Sequence, residues 1–397
     1  MKTNDLRGAA RLATDATAGL TDLVEAMHER IARLPGGGAA LDGRTRGITG
    51  LVYRSIRGVT RVVGGSVDGL LALIAPALAA DAPAAPPRRE REAVVAALNG
   101  VLGDHLAASA NPLAITMALR RNGRALPLEA RALAAALPDA RPVLLVLLHG
   151  LCRNDLQWQR NGHDHGALLA QVLDATPVYL HYNTGLPIAE NGRQFAGLMA
   201  QLLAAWPVPL QRVVLLTHSM GGLVARSALH QAQAAGQAWP ARVDDVVFLG
   251  TPHHGAPLER AGHGVDLLLA AAPYAAPLAR LGRVRSAGIT DLRHGLSGPH
   301  HTPLPLPAGP RCWAVAATLG EGRGALKGRL LGDGLVPVDS ALGHHRDPAH
   351  TLAFAPDRQC VVHGTGHLEL LDSPEVGRCL QRWLAPGAAT LPVTRDA

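Results

Sequence analysis

Lysine is almost missing from this 397-residue sequence: Lys2 and Lys327 are the only two, so the net charge of +7 rests on arginine. Aromatic residues are nearly as scarce, with five Trp, four Tyr and three Phe. That argues against a base-stacking platform, because such surfaces present exposed rings. In a chain biased toward Arg, Ala, Gly and Pro the positive total does not establish a polyanionic partner, and no nucleic-acid partner is expected. The four cysteines, Cys152, Cys312, Cys360 and Cys379, lie far apart and form no C-x-x-C pair. They read as reduced thiols in a reducing compartment. No run reaches the roughly 20 apolar residues needed to span a bilayer; the nearest, Val62 to Ala80, is broken by Gly64-Gly65 and Asp68. Asp5, Arg7 and Arg11 fall where a secretory signal would be apolar, so a cytoplasmic location is expected. There is no P-loop-type phosphate cradle and no repeat of fixed period.

What is present is apolar. Hydrophobic residues make up 48% and charged residues 17%, enough to bury a large core and to exclude wholesale disorder. Up to about residue 140 the pattern is helical. Leu20, Val24, Met27, Ile31 and Leu34 share one helix face until Pro35. A second stripe runs from Ile48 through Val52, Ile56, Val59, Val63, Val67 and Leu70 to Ile74, with Arg54, Arg57 and Arg61 opposite. After a Pro/Ala linker over 81–87, further helices are expected over 92–106 and 113–121. From Arg141 onward strands and helices alternate. Apolar runs over 142–148, 178–182, 212–217, 243–249 and 312–317 read as strands buried on both faces. Helices are expected over 194–206, 220–235 and 374–384. This order predicts an α/β fold with a mostly parallel sheet, divided as a helical region 1–140 and a catalytic domain 141–397, with an insertion or lid over about 257–310.

The strongest local signal is Arg212 to Arg226, RVVLLTHSMGGLVAR. A buried strand enters Thr217-His218-Ser219-Met220-Gly221 and leaves as a helix, the context a nucleophile elbow requires. So tight a turn needs small residues two before and two after the Ser; Gly221 complies and Thr217 departs from the usual Gly. Ser219 would stand at a helix N-terminus, which favours a developing anion. Upstream, His149-Gly150-Leu151 ends the first strong strand, so the N–H groups of Leu151 and Met220 could form an oxyanion hole. Downstream, Gly332-Asp333-Gly334 offers an acid to orient a histidine, with Asp339 and Asp347 as alternatives. The segment from His363 to Leu371 offers His367, with His363 as the alternative. The order Ser219, Asp333, His367 is that of α/β-hydrolases.

On these motifs (LLHGL, THSMGGLVAR, LGTPHHGAP, GDGLVP and GTGHLELL), residues 142–384 resemble the α/β-hydrolase superfamily. They are similar to bacterial lipases and esterases and to the hydrolase domain of GPI inositol-deacylases. The resemblance implies an α/β-hydrolase fold with Ser219 as nucleophile, His367 as general base and Asp333 holding the imidazole. Leu151 and Met220 would supply the oxyanion N–H groups. It implies a small-molecule ester or lipid substrate and no cofactor. Hydrolysis of carboxylic esters is the leading expectation. An acyltransferase or thioesterase would use the same triad, and a lipid-surface or partner-binding protein with vestigial catalysis is the reading of a different class.

Nineteen histidines raise the question of a metal. His163-Asp164-His165 is the tightest group, but a closed site needs more ligands, and no metal is expected. The basic arm is the other open point. Residues 43–67 hold five arginines and no acid, so this helix could rest on an anionic lipid surface. Tyr53 is the only aromatic before residue 141, however, and packing of the stripe on protein is the favoured alternative.

Overall fold

The structure is a computed structural model that describes residues 3–32, 52, 54–62, 65, 89–255, 286–295, 304–320 and 332–385. Of the insertion expected over 257–310, only 286–295 and 304–310 are described, and its extent lies outside the described residues. The same holds for the linker 81–87 and for Ile48, Val63, Val67, Leu70 and Ile74 of the second stripe.

The chain divides into two compact units, one formed by residues 1–85 and 106–114 and one by 86–105 and 115–397. In the first, α1 (Thr3–Ala32) is a long helix and 54–62, α2, is helical. Asn111 Nδ2 donates to Gly8 O at 3.0 Å. Arg57 is buried with Glu25 at 2.5 Å and reaches Asp22 at 3.0 Å, so one of the five arginines of the basic segment is already paired. Val52, Ile56, Val59 and Val62 are exposed.

The second unit is built on an eight-stranded sheet. Its strands are β1 (Ala118–Arg121), β2 (Arg124–Ala125), β3 (Val143–Leu148), β4 (Ala175–His181), β5 (Arg212–His218), β6 (Asp245–Leu249), β7 (Arg311–Thr318) and β8 (Gln359–His363). The order across the sheet is β2-β1-β4-β3-β5-β6-β7-β8, with the short helices α4 (Ala130–Ala136) after β2 and α9 (Val338–Ala341) after β7. Strands β3 to β8 are parallel, and β1 runs antiparallel to β4 and β2. This is the α/β-hydrolase fold that the sequence predicts.

Side-chain alternation splits the core in two. Leu144, Val146, Val213, Leu215, Val246, Phe248 and Ala314 face α6 (Ile188–Ala205) and α7 (Met220–Ala234). Leu145, Leu147, Val214, Leu216, Val247, Leu249 and Val315 face α5 (His165–Leu173) and α10 (Pro374–Leu384). Both faces are covered, which is why these strands read as unbroken apolar runs. At the amino edge, buried Asp245 accepts from Arg212 at 2.6 Å, Arg311 at 2.9 Å and Trp313 Nε1 at 2.9 Å, satisfying a charge that burial would otherwise penalise.

One expectation changes, and two elements were not foreseen. The helix expected over 113–121 is instead the hairpin strand β1. Arg121 pairs with Arg124 across Asn122-Gly123, whose φ values of +52° and +72° are those of a tight hairpin turn. Strand β8 and helix α5 were not expected; QCVVH is short and only Val362 in it is fully buried. The helix expected over 92–106 is α3 (Arg89–Ala108), and its residues up to His105 belong to the sheet unit. There it approaches the loops after β3 and β4: a side chain on Gly103 would strike Asn183, and Asn183 Nδ2 donates to Gly103 O at 2.8 Å. The Ser286 hydroxyl, which caps α8 (Ala287–His294), donates to Gly100 O at 2.6 Å.

Candidate active site

Ser219 sits between β5 and α7 with φ +54° and ψ −125°, a conformation that non-glycine residues rarely take and that clusters at functional turns. The neighbours explain how the turn is held. The Ser219 N–H donates to Leu249 O at 2.8 Å, and the Gly222 N–H donates to Ser219 O at 3.0 Å. A Cβ on Gly221 would come within 2.7 Å of His149 O, so α7 starts against the end of β3 and only glycine fits. Thr217, which departs from the usual Gly, is buried and its hydroxyl donates to Val247 O at 2.9 Å. The β-branched side chain is accommodated by a hydrogen bond to the neighbouring strand.

The loop after β3 crosses the same turn. A Cβ on Gly150 would lie 2.9 Å from the Ser219 Cβ, so the loop runs directly against the elbow at the residue before Leu151. The loop is pinned on several sides. Tyr182 donates its hydroxyl to His149 O at 2.7 Å, and its ring stacks on His149 at 4.4 Å. His149 Nδ1 donates to Gly150 O at 3.0 Å, and the Cys152 N–H donates to Thr184 Oγ1 at 3.1 Å. Burial drives the His149 pKa down to about 3, so the ring is neutral. Met220 is the first residue of α7, and its N–H therefore has no acceptor within the helix.

His367 follows β8. Its Nδ1 lies 2.7 Å from Asp333 Oδ2, both residues are buried, and Nε2 is buried with no hydrogen-bond partner among the described residues. Asp333 is fixed in turn: its Oδ1 accepts from the Leu335 and Val336 N–H groups at 2.9 and 2.7 Å, and its carbonyl accepts from the His367 N–H at 3.0 Å. Gly332, at φ +55°, turns the chain where a Cβ would strike Val336. The His367 ring packs against Gly250, 3.2 Å from where a Cβ would stand. The Ser219 N–H bonds Leu249 O and the His367 ring flanks Gly250, so both residues lie at the carboxyl end of β6.

The alternatives lie elsewhere. Asp347 pairs with His350 at 3.0 Å and Asp339 approaches His344 at 3.7 Å, while His363 ends β8. Sequence reasoning passed over His218. Its Nε2 donates to His367 O at 3.1 Å, and its ring lies 4.8 Å from that of His367. Burial and the adjacent His367 hold its pKa well below the usual histidine value. A histidine directly before the elbow serine was the only available signal.

His163, His165 and His253 are tied into the scaffold. His163 Nε2 and His165 Nδ1 are 2.9 Å apart, His165 Nε2 donates to Leu370 O at 3.0 Å, and Asp164 caps α5. His253 packs edge-on against Phe248 and meets Arg226 Nη1 at 3.2 Å. Among the described residues no group of three or more His, Cys, Asp or Glu side chains could hold a metal ion, and no helix is long and apolar enough to cross a membrane.

Gly250→Ala tests how tightly the imidazole is seated. An alanine at φ +57° is strained, and its methyl would meet Leu370 at 2.7 Å as well as the ring. The strain of roughly 1–2 kcal/mol should lower the melting temperature by a few degrees, and displacement of the ring should cut any esterase turnover by about tenfold or more. Wild-type melting and turnover together would mean that the ring does not depend on this contact.

Residues 198–293 match the family model of the PGAP1-like alpha/beta domain. That stretch includes Ser219 and Met220 but neither Asp333 nor His367. No curated protein sequence matches the chain. Among solved structures, a lipase of Bacillus licheniformis in its mature form is 19% identical, over 61% of this chain and 91% of that one, with a TM-score of 0.39. A thioesterase from the prodiginine pathway of Streptomyces coelicolor is 17% identical over 61% and 89%, with a TM-score of 0.37. Lipase B of Aspergillus fumigatus is 16% identical over 62% and 54%, also with a TM-score of 0.37.

Proposed function

We propose that this chain, an α/β-hydrolase by fold, is a serine hydrolase that cleaves carboxylic esters through an acyl-enzyme. The observation that carries the reading is the seat of His367: Nδ1 is held on Asp333 at 2.7 Å while Nε2 is left without a partner, at the strand edge where Ser219 takes its strained turn. An imidazole fixed at one nitrogen and unpaired at the other is arranged to take up a proton.

In this mechanism His367 Nε2 accepts the Ser219 hydroxyl proton as Oγ attacks the acyl carbon. Negative charge gathers on the carbonyl oxygen, and the N–H groups of Leu151 and Met220 face it. The imidazolium, stabilised by Asp333, passes its proton to the departing alcohol. Water then attacks the acyl-enzyme with His367 as base again. Tyr182 and His149 position the oxyanion loop, and His218 positions the backbone of His367. The substrate class is an ester or lipid with an acyl chain. A thioester donor, or an alcohol in place of water, would use the same groups, so the two outcomes are read from products.

The test is a panel of p-nitrophenyl esters of increasing acyl length beside a matched thioester, with an alcohol offered as competing acceptor. Ester turnover that yields free acid is the expected result, with a chain-length optimum. Dominant transfer to the alcohol would recast the chain as an acyltransferase, and preference for the thioester would recast it as a thioesterase. No turnover across the panel together with no fluorophosphonate labelling would remove the proposal.

A further inference from the structure

Of the four cysteines, two meet. Cys360 on β8 and Cys379 on α10 stand 19 residues apart in the chain, with their Sγ atoms 2.7 Å apart, closer than unbonded sulfur atoms normally approach. Both residues are present as free thiols, so they need to close by only about 0.7 Å to reach the bonded separation. Cys152 and Cys312 differ. Each faces a backbone carbonyl, of Ala97 and Pro310 respectively, and burial pushes each pKa up to about 12, whereas Cys379, though buried too, faces the sulfur of half-buried Cys360.

We propose that Cys360 and Cys379 are a cystine-forming pair that closes when the protein meets a small disulfide oxidant such as oxidised glutathione. Cys379 is the thiolate that opens the exchange. The hydrogen bond from the Cys360 thiol, supported by Arg382 with Nη2 3.9 Å from Sγ, lowers its pKa. The same hydrogen bond and burial raise that of Cys360. Cys379 sulfur attacks one sulfur of the oxidant, expelling one glutathione thiolate, which takes up the Cys360 proton. Cys360 then attacks the Cys379 sulfur of the mixed disulfide and expels the second glutathione as a thiolate, which takes up from water the proton that Cys379 had released on ionising. The protein loses two hydrogens and two electrons, and the oxidant becomes two thiols.

The bond would tie α10 to β8 and enclose the segment from Val361 to Arg378, which carries His367. Closing a loop of this size removes freedom from the unfolded chain, and a rise in melting temperature of roughly 5 °C is expected. The experiment takes the full chain, treats it with oxidised glutathione and maps non-reduced peptides. A Cys360–Cys379 cross-link within one chain is expected, with Cys152 and Cys312 still titrating as thiols and a melting rise that dithiothreitol reverses. Cys360→Ser and Cys379→Ser should each abolish the cross-link and the reversible rise. Four free thiols after oxidation, or a cross-link between any other pair, would overturn the proposal. That result is read on the wild-type chain, so it stands even where a variant fails to fold, and it does not depend on the ester-hydrolase reading.

Discussion

Ser219→Ala should abolish fluorophosphonate labelling and lower ester turnover by about 10⁴-fold or more. The size follows from the roles of the parts. On the proposed mechanism no acyl-enzyme forms without Oγ, and what survives is the help given to a water molecule by the proposed oxyanion N–H groups and the imidazole. Those groups stay in place, because the variant removes one oxygen and keeps the backbone bonds of the elbow, Ser219 N–H to Leu249 O and Gly222 N–H to Ser219 O. Alanine and serine bear a similar strain at φ +54°, so melting should move by no more than about 1 °C. The expected pattern is an intact fold with a dead enzyme. Turnover within tenfold of wild type, or undiminished labelling at another residue, would remove Ser219 from the chemistry.

Acid should destabilise the protein between pH 7 and pH 5, well above the range where its carboxylates protonate. Four histidines are buried neutral. Burial takes His149 to about 3 and His165 to about 4, and it holds His218 and His253 well below the ordinary value. Once the chain unfolds, each regains a pKa of about 6.5 and takes up a proton. Below pH ~6.5 the unfolded state therefore binds more protons than the folded state, and stability falls as pH falls. For His149 and His165 the loss continues until the folded groups themselves titrate, near pH 3 and 4. At pH 5 His149 and His165 each cost about 2 kcal/mol, and His218 and His253 push in the same direction, so the loss is a large fraction of the stability of an ordinary domain. Urea unfolding at pH 7, 6 and 5 should show the midpoint dropping steeply. A flat profile across that interval would mean that these imidazoles are not held neutral by the fold.

The elements that were legible in the sequence are those decided by near neighbours. The apolar runs that became β3, β5, β6 and β7 announced themselves because strands covered on both faces leave no room for polar residues. The elbow was legible for the same reason: Gly221 is required where α7 starts against β3, and that requirement sits two residues from Ser219. The hairpin Asn122-Gly123 carried an equally local signal, but the helical tone of the preceding hundred residues obscured it. Strand β8 carried almost none, being five residues long with one fully buried side chain. Helix α3 was recognised as a helix. Its place against the loops after β3 and β4 was not, since that depends on glycines meeting Cys152 and Asn183, far away in the chain.

The positive charge follows the same division. Residues 1–141 hold 18 bases and 13 acids, a net of +5, against 20 and 18, a net of +2, in the rest. Composition located the excess in the first region, and the folded unit then paired Arg57 of the basic segment with Glu25 and Asp22.

By itself, then, the sequence determined the α/β-hydrolase class, the strand–turn–helix around Ser219 and the order of the candidate residues, because each depends on the chemistry of a few adjacent positions. Only the tertiary structure decided that His367 rests on Asp333 and not on Asp339 or Asp347, that His218 braces it, and that two of four scattered cysteines touch. Those choices are made by chain segments of low intrinsic preference, closed by glycine turns and by hydrogen bonds between residues tens of positions apart. Such contacts gain their energy only once the sheet has brought the carboxyl ends of its strands together.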